Sequence, residues 1–368
     1  MSTTITAAVL HTLSSDFSVQ QLCLREPLHD EVLVEIAGSG ICHTDIKVSQ
    51  GYAGVPLPVV LGHEGSGKVL QRGSEAGDIE VGDHVVMSFP SCGCCRQCST
   101  GHPAYCDQGQ QLSFSCQPPH GLPVFKNAEV QIHGAFFGQS SFASHALVSR
   151  RNLVRVDKQL PLSLLGPLGC GFQTGAGAVL NVLQPAPATS IAVFGAGNVG
   201  LSAVMAAKIA GMDPIIAIDR NPERLATAIR LGASHVIDSN VDTDLADSIL
   251  RITSTAGVDY AVDTTNMPAI IRAAFASLAN RGTCVHSGGG GKDVCIDGSH
   301  LLHGRTITGV IQGDSVPASF IPQLLAYYQA GVFPFDTLLQ MYPIERINEA
   351  VADMRSGRVI KPVLRFMN

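Results

Sequence analysis

Two features of membrane and secreted proteins are absent from the sequence. No hydrophobic run approaches the ~20 residues that are needed to span a bilayer. The N-terminal stretch, MSTTITAAVL, lacks the basic segment and the pattern of a signal peptide. We therefore expect a cytoplasmic protein without a membrane partner, whose cysteines are reduced and either buried or bound to metal.

Basic residues are too few to favour a nucleic-acid partner. The chain has 24 Lys and Arg against 30 Asp and Glu, which gives a formal net charge of -6. Because phosphate binding requires a basic face, nucleic acid is not expected as the main partner. Charged residues make up only 15% of the 368 residues and hydrophobic residues 45%, which excludes a disordered chain and allows a large core. A chain of this length predicts about two to three domains.

Four cysteines with short spacers occupy one loop. Cys92, Cys95, Cys98 and Cys106 follow the spacing C-x2-C-x2-C-x7-C, with Cys94 as an extra thiol inside the motif. Thiolates bind Zn²⁺ tetrahedrally, and a set of four is typical of a closed structural site. The alternative is that these cysteines form disulfides or are merely buried. The spacing favours a zinc protein.

The character of the sequence changes near residue 170. Before it, short β-branched runs such as Glu31–Ile36 and Asp83–Met87 alternate with turn residues, which predicts many strands and loops. After it, hydrophobic strands alternate with helical stretches, which indicates a parallel sheet with right-handed crossovers. The predicted strands of this part are Ser190–Phe194, Ile215–Asp219, His235–Asp238, Val258–Asp263, Gly282–Ser287 and Thr306–Ile311, with helices at Leu201–Ala210 and Glu223–Leu231. Helices Ser319–Ala330 and Glu345–Arg355 and a strand Pro362–Phe366 are predicted in the tail.

Gly195, Gly197 and Gly200 form the pattern G-x-G-x-x-G between a predicted strand and a predicted helix. In this context the pattern favours a dinucleotide site, with the pyrophosphate at the helix N-terminus. Asp219 ends the next strand, where it would bind the adenosine ribose and favour NAD over NADP. Arg220 weakens that preference, since an arginine there could accept a 2′-phosphate. The alternatives are an ordinary strand-to-helix turn and a solvated aspartate.

Three further residues are candidates for a second metal site. Cys42 lies in Gly-Ile-Cys-His-Thr-Asp, His63 in Leu-Gly-His-Glu-Gly and Cys170 in Gly-Pro-Leu-Gly-Cys-Gly. Taken singly, a cysteine or histidine is more often an ordinary core residue than a ligand. Spacing alone therefore does not establish this trio as a site.

Together with the cysteine loop and the glycine pattern, these residues resemble the zinc-dependent medium-chain alcohol dehydrogenases, in the right order over nearly the whole chain. The nearest resemblance is to aryl (benzyl) alcohol and geraniol dehydrogenases, through CHTD at 42–45, FFGQSSF at 136–142 and GPLGCGFQTGAG at 166–177. The resemblance implies an α/β fold. A doubly wound Rossmann domain at 172–311 would bind NAD, and a β-rich GroES-like catalytic domain would comprise 1–171 and 312–368.

The resemblance also implies two zinc ions per chain. Cys42, His63 and Cys170 would bind the catalytic ion, whereas Cys92, Cys95, Cys98 and Cys106 would bind the structural ion. Zinc lowers the pKa of bound water from about 15.7 to near 7, and an alcohol oxygen should respond similarly. The expected reaction is reversible oxidation of an alcohol by hydride transfer to NAD.

Further site residues follow from the same resemblance. Asp45 would orient His63, Thr44 would bind the reacting oxygen, and Glu64 would assist ligand exchange at the metal. Lys47 stands where many members have a proton-relay histidine, so the route of the proton stays open. The alternatives for Asp45 and Thr44 are a helix N-terminal charge and a helix cap, and for Lys361 and Arg224 a solvated surface charge. The implied cofactor-binding residues are Gly195, Gly197, Asn198, Val199, Gly200, Asp219, Arg220, Arg224, His43, Thr174, Gly289 and Lys361.

The substrate is less well determined than the reaction. Positions that match the substrate pocket combine small and aromatic residues, which suits a benzylic or allylic alcohol better than ethanol: Ala53, Ser88, Phe136, Phe137 and Gly289. The alternatives are that the two phenylalanines are simply core residues, and that the substrate is an aliphatic, polyol or thiol-adduct alcohol. A zinc-free reductase of this fold and a non-catalytic zinc-ribbon protein are less favoured. A homodimer or homotetramer is expected, paired through the edge strand Thr306–Ile311.

Overall fold

The computed structural model describes residues 3–118, 120–126, 131–289 and 293–366. Its strands are β1 (Thr3–Leu10), β2 (Ser18–Leu24), β3 (Glu31–Gly40), β4 (Val59–Val60), β5 (Gly65–Arg72), β6 (His84–Met87), β7 (Phe125–Lys126), β8 (His145–Ser149), β9 (Leu153–Val156), β10 (Ile191–Phe194), β11 (Ile215–Asp219), β12 (His235–Asp238), β13 (Val258–Asp263), β14 (Leu278–His286), β15 (Thr306–Gly309), β16 (Leu339–Pro343) and β17 (Lys361–Arg365). Its α-helices are α1 (His43–Ser49), α2 (Arg96–Ser99), α3 (Gly109–Phe114), α4 (Gly171–Gly177), α5 (Asn198–Ile209), α6 (Pro222–Leu231), α7 (Leu245–Ile252), α8 (Pro268–Ala276), α9 (Gly298–Leu301), α10 (Pro317–Gln329) and α11 (Ile347–Ser356). None of these helices has the length and apolar character that crossing a membrane requires.

Two units divide the chain. The first comprises Met1–Cys170, Val316–Gln323 and Asp336–Asn368, and the second comprises Gly171–Ser315 and Leu324–Phe335. The domain bounds inferred from the sequence, 1–171 with 312–368 and 172–311, stay a prediction.

Strand pairing in the first unit brings distant sequence segments to one sheet edge. One sheet has the order β4-β1-β2-β7, and a larger sheet has the order β16-β17-β3-β5-β6-β9, with β8 also paired to β3. In the larger sheet β3 is antiparallel to β5, with Ser39 opposite Gly65, and to β17, with Gly40 opposite Val363. The end of β3 and the starts of β5 and β17 therefore lie side by side. Residues that follow β3 or precede β5 meet at this edge.

The second unit contains a parallel sheet in the strand order β12-β11-β10-β13-β14-β15. Its central strands are buried on both faces, which explains continuous apolar runs such as Ile-Ala-Val-Phe in β10. The carboxyl ends stand in register, with Phe194 beside Asp263 and Asp263 beside His286. The order reverses on either side of β10, the position at which such sheets bind ligands. These two architectures confirm the predicted α/β class.

The sequence-based strand assignments agree with the structure except at their ends. The strand predicted at Thr306–Ile311 ends at Gly309, and the one predicted at Gly282–Ser287 begins earlier, at Leu278. Helices α7 and α8 were not specified from the sequence. The end of a strand depends on its hydrogen-bonding neighbours, so local pattern locates it only approximately.

Candidate metal centres and cofactor site

Cys42, His63 and Cys170 come together in the first unit. Cys42 is the residue before α1, His63 lies just before β5, and Cys170 is the last residue before α4. Their ligand atoms and a carboxylate oxygen of Glu64 all lie within 4.8 Å of one another. Cys170 Sγ is 3.4 Å from His63 Nε2, close to the about 3.6 Å expected between sulfur and nitrogen ligands of tetrahedral zinc. Two thiols and an imidazole are a donor set that suits this ion.

Asp45 orients the ring of His63 and also caps α1. Its Oδ1 accepts a hydrogen bond from His63 Nδ1 at 2.9 Å, and its Oδ2 accepts one from the backbone N–H of Cys42 at 2.9 Å. Because a carboxylate only accepts, Nδ1 carries the proton and the lone pair of Nε2 faces the thiols. The two interpretations of Asp45, orienting residue and helix N-terminal charge, therefore hold together.

The charged groups of the trio shift one another's pKa values. Burial opposes protonation of His63, but Asp45 and Cys42 outweigh it and raise the pKa of the ring. The hydrogen bond from Cys170 lowers the pKa of the Cys42 thiol well below its usual value, although burial opposes this. One thiol is thus poised as a thiolate, the form that binds zinc.

Glu64 and Lys361 form a fully buried ion pair beside the trio. Lys361 Nζ donates to the two Glu64 oxygens at 2.9 and 2.8 Å and to the carbonyl of Ile41 at 2.9 Å. These bonds use all three ammonium hydrogens. Burial raises the pKa of Glu64 to about 7 even though Lys361 opposes that shift. The alternative of a solvated surface charge is wrong for Lys361, whose side chain is 0% exposed.

Gln139 is a site residue that sequence reasoning missed. Its amide donates to the carbonyl of His63 at 2.9 Å and accepts from the backbone N–H of Gly65 at 3.1 Å. Both residues flanking the Glu64 backbone are thereby held by one buried side chain. A glutamine inside an apolar, aromatic segment was the available signal, because a buried amide requires partners.

Aromatic rings surround the imidazole of His63. Phe137 stacks on it at 4.5 Å and 27°, and Phe136 meets it edge-on at 5.8 Å. Phe114, which the sequence did not point to, packs 5.1 Å from Phe137. Phe137 has a positive φ of 50°, a conformation that is costly for a bulky residue and is found disproportionately at functional sites.

The other predicted substrate positions differ in environment. Ser88 is buried and its hydroxyl donates to the carbonyl of Gly169 at 2.8 Å, which helps to position the neighbouring Cys170. Ala53 is exposed with a φ of 64°. Gly289 is exposed in the second unit, where its carbonyl accepts from Asn266 Nδ2 at 2.9 Å.

The four-cysteine loop has the dimensions of a tetrahedral zinc site. The ligand atoms of Cys92, Cys95, Cys98 and Cys106 lie within 4.8 Å of one another. Cys92 Sγ to Cys98 Sγ and Cys95 Sγ to Cys106 Sγ are both 4.0 Å, against the about 3.8 Å that tetrahedral Zn–S bonds produce. Four thiols at this spacing fit zinc.

Backbone amides support the thiolate form in this loop. Hydrogen bonds from the N–H groups of Cys94 and Cys95 lower the pKa of Cys92 to about 6, and Cys106 Sγ accepts from the Cys92 N–H at 3.2 Å. The Cys94 thiol is exposed and is not among the four converging ligands. The eleven cysteines form no disulfide in the structure, so the alternative of disulfide pairing is wrong.

In the second unit, the glycine pattern forms the turn between β10 and α5. Gly195 has a φ of +94°, and a Cβ on Gly200 would lie 1.7 Å from the Gly195 carbonyl oxygen. Among the described residues, none places an atom within 4 Å of the point where a side chain on Gly197 would begin, its chain neighbours and own helix backbone aside. This geometry leaves backbone accessible at a helix N-terminus, as pyrophosphate binding requires.

Asp219 ends β11 beside this turn. Its Oδ2 accepts from the Ala196 N–H at 2.6 Å and its Oδ1 from the Asn221 N–H at 2.8 Å. Nearby, Asn198 Nδ2 and Arg224 Nε are buried donors without a hydrogen-bond partner within the described structure. Unpaired buried donors are costly, and a polar cofactor such as NAD would satisfy them.

The remaining predicted residues lie on helices and loops. His43 and Lys47 are exposed on α1 and Thr44 is half-buried there. Thr174 is half-buried in α4. In the second unit, Val199 is half-buried and Arg220 is exposed.

Comparisons with known proteins agree with this geometry. Residues 29–158 match the alcohol dehydrogenase GroES-like domain, and residues 198–328 match the zinc-binding dehydrogenase family. The chain is 43% identical to geraniol dehydrogenase from Castellaniella defragrans over 98% of this chain and 97% of that protein. Benzyl alcohol dehydrogenase from Acinetobacter calcoaceticus has 43% identity, a TM-score of 0.96 and coverage of 99% and 100% of the two chains. An alcohol dehydrogenase zinc-binding domain protein from Burkholderia ambifaria has 46% identity, a TM-score of 0.97 and full coverage of both chains.

Proposed function

Because the chain belongs to the zinc-dependent medium-chain alcohol dehydrogenases, we propose that it oxidises a primary aryl or allylic alcohol of the benzyl alcohol type to the aldehyde, reversibly. Zinc and NAD are its cofactors. The observation that carries the reaction is the convergence of Cys42, His63 and Cys170 with a carboxylate that orients the imidazole. The substrate class is supported by the two relatives that act on geraniol and on benzyl alcohol.

The metal-binding roles follow from the donor sets. Cys42, His63 and Cys170 hold the catalytic zinc, and the four-cysteine loop holds the structural zinc. When bound, the catalytic ion polarises the alcohol oxygen and NAD accepts the hydride. Asp45 keeps the proton of His63 on Nδ1, which leaves Nε2 as the ligand. Glu64, with its carboxylate near the thiols, assists exchange of ligands.

The proton leaves through α1 in this proposal. The Thr44 hydroxyl hydrogen-bonds the reacting oxygen and takes its proton. Lys47 lies three residues along the helix, on the same side and exposed; its ammonium releases a proton to solvent, and the resulting amine accepts the one that comes from Thr44. This relay replaces the histidine that many members of the family have.

The cofactor is bound mainly by the second unit. Gly195, Gly197, Asn198, Val199 and Gly200 receive the pyrophosphate at the start of α5. Asp219 binds the adenosine ribose, and Arg220 and Arg224 lie beside that ribose. Thr174 and Gly289 contact the nicotinamide end, and His43 contacts the pyrophosphate. Lys361 does not contact the pyrophosphate, because its ammonium is fully buried and donates to Glu64 and to the Ile41 carbonyl.

The family resemblance assigns Ala53, Ser88, Phe136, Phe137 and Gly289 to substrate binding. The stacking of Phe137 on His63 supports it, because an aromatic wall beside the metal favours a flat, apolar substituent. Ser88 contributes by holding the peptide next to Cys170.

Assembly and location are further parts of the proposal. We infer a homodimer or homotetramer formed through β15, whose surroundings expose Leu301, Leu302 and Ile311. The lack of any disulfide among the eleven cysteines, all of which the structure describes, supports a reducing, cytoplasmic setting. The net charge of -6 supports the absence of a nucleic-acid partner.

Rates of NADH formation with benzyl alcohol, geraniol, ethanol and sorbitol, measured under identical conditions, test this function. We expect rapid reduction of NAD with the first two alcohols and little with the others. Faster turnover of ethanol or sorbitol would reject the aromatic slot while retaining the dehydrogenase reaction. Absence of NADH formation with every alcohol, in protein containing two zinc ions per chain, would reject the proposal as a whole.

A further inference from the structure

Two histidines and an aspartate outside the sites described above lie close together in the first unit. His29 and Asp30 occupy the turn before β3, and His120 lies in the segment between α3 and β7. One ligand atom of each lies within 4.8 Å of the others. We propose that His29, Asp30 and His120 form a third metal site, which binds a divalent first-row transition ion such as Zn²⁺, Ni²⁺ or Cu²⁺.

The three ligand atoms are close enough that small rearrangements of the side chains would let them coordinate one ion. His120 Nε2 is 2.9 Å from Asp30 Oδ1, which is close to the about 3.0 Å between ligands at right angles around an ion with bonds of about 2.1 Å. The rings of His29 and His120 have centroids 4.9 Å apart. Two imidazoles and one carboxylate are a donor set for zinc, nickel, copper and ferrous iron, and not for magnesium or calcium.

A rigid scaffold holds two of the three ligands. The buried pair Arg25–Glu31 flanks the turn, with Arg25 Nη2 donating to Glu31 Oε1 at 2.7 Å. Glu31 Oε2 also accepts from the backbone N–H of Leu28 at 2.9 Å. The carbonyl of His29 accepts from the N–H of Glu75 at 2.6 Å. The backbone positions of His29 and Asp30 are therefore set before any ion binds, which reduces the entropy lost on binding.

A cavity gives an ion access to this site. Asp30 and His120 line a cavity of about 280 Å³. Three protein ligands leave at least one coordination position open, and the cavity has room for the water that would fill it. Arg151, Cys92 and Cys94 line other parts of the same cavity. An ion bound here would therefore lie in a cavity that part of the four-cysteine loop also lines.

Binding at this site ties the segment between α3 and β7 to the turn before β3. Both histidines are partly exposed to solvent, with side-chain exposures of 50% for His29 and 32% for His120. An exposed set of three ligands binds more weakly than four thiolates, so the ion is exchangeable at zinc concentrations that leave both cysteine-containing sites full. The site depends on neither the substrate nor the proposed reaction.

Equilibrium dialysis of the zinc-loaded full-length enzyme against increasing Zn²⁺, followed by elemental analysis, tests the proposal. We expect a third zinc equivalent per chain in the wild type. The variants His120→Ala and Asp30→Asn should retain only two equivalents. His11→Ala, which removes an exposed histidine elsewhere in the first unit, is the matched control and should retain three.

Cu²⁺ added to the zinc-loaded enzyme supplies a second measurement. Its electron paramagnetic resonance spectrum should show coupling to two imidazole nitrogens in the wild type and to one in His29→Ala. A third zinc equivalent that survives His120→Ala, or that His11→Ala removes equally, would show adventitious surface binding and overturn the proposal. Absence of a third equivalent in the wild type would overturn it too.

Discussion

The ammonium of Lys361 and the carboxylate of Glu64 form an ion pair from which solvent is fully excluded. Glu64 follows His63 directly, and Lys361 opens β17, 297 positions later in the chain. The pairing of β3 with both β5 and β17 brings the two residues together. A charged pair at 0% exposure costs much desolvation, which only complete hydrogen bonding offsets.

We predict that Lys361→Met destabilises the protein by about 3–5 kcal/mol, because it leaves the Glu64 carboxylate buried without a counter-ion. The double variant Lys361→Met/Glu64→Leu should recover part of the loss in the thermal midpoint. Arg358→Met, which removes a cation with 71% side-chain exposure from its pair with Asp353, is the control and should change little. A Lys361→Met protein that melts like the wild type contradicts the prediction.

Asp45→Asn should lower zinc retention at the catalytic site, or turnover, by about 10- to 100-fold, since partners of this kind tune metal-bound histidine by that amount. The reason is that asparagine has no charge and only one accepting oxygen, so it cannot accept from both His63 Nδ1 and the Cys42 N–H as the carboxylate does. Zinc loss to a chelator and kcat with benzyl alcohol are the measurements. Asp16→Asn removes an exposed carboxylate and is the control. Equal zinc retention and equal turnover in Asp45→Asn and Asp16→Asn would refute the role.

Cys98→Ala and Cys94→Ala form a matched pair within one loop. Only Cys98 belongs to the four converging thiols, whereas the Cys94 thiol is exposed. We expect Cys98→Ala to lose one zinc per chain and to melt at a lower temperature, because a structural zinc contributes directly to folding. Cys94→Ala should keep both ions and the wild-type midpoint. The assignment fails if Cys98→Ala also keeps both.

Asp219→Ala should reduce the preference for NAD over NADP by about 10- to 100-fold, the worth of a hydrogen bond to a charged group. The carboxylate at the end of β11 repels a 2′-phosphate, and its removal leaves Arg220 to attract one. The ratio of kcat/KM for the two cofactors is the readout. Asp238→Ala, at the corresponding end of β12, is the control. An unchanged ratio in Asp219→Ala would count against Asp219 as the ribose-binding residue.

Phe137→Ala should lower the ratio of kcat/KM for benzyl alcohol over ethanol by several-fold. Aromatic contacts are worth about 0.5–1.5 kcal/mol beyond the area they bury, and Phe137 is the ring that stacks on His63. Phe17→Ala is the control, since Phe17 is also buried but packs on Phe142. If both variants change the ratio equally, Phe137 acts as an ordinary core residue.

Features set by neighbouring residues could be predicted from the sequence. The spacing of Cys92, Cys95, Cys98 and Cys106 is a property of one loop, and four thiols do converge there. The turn at Gly195 and Gly200 depends on backbone conformation and a close approach within a few residues. In both cases the chain between the groups is too short to separate them, so pattern and geometry agree.

The sequence by itself thus determined the class of fold, the structural cysteine loop, the dinucleotide turn and, through family resemblance, the reaction. Only the tertiary structure decided that Gln139 holds His63, that Lys361 is buried against Glu64, and that His120 meets His29 and Asp30. These partners are far apart in the chain, and no local pattern encodes which of them meet. Strand register and core packing select such contacts, because the cost of burying a polar group is offset only where a partner is brought to it.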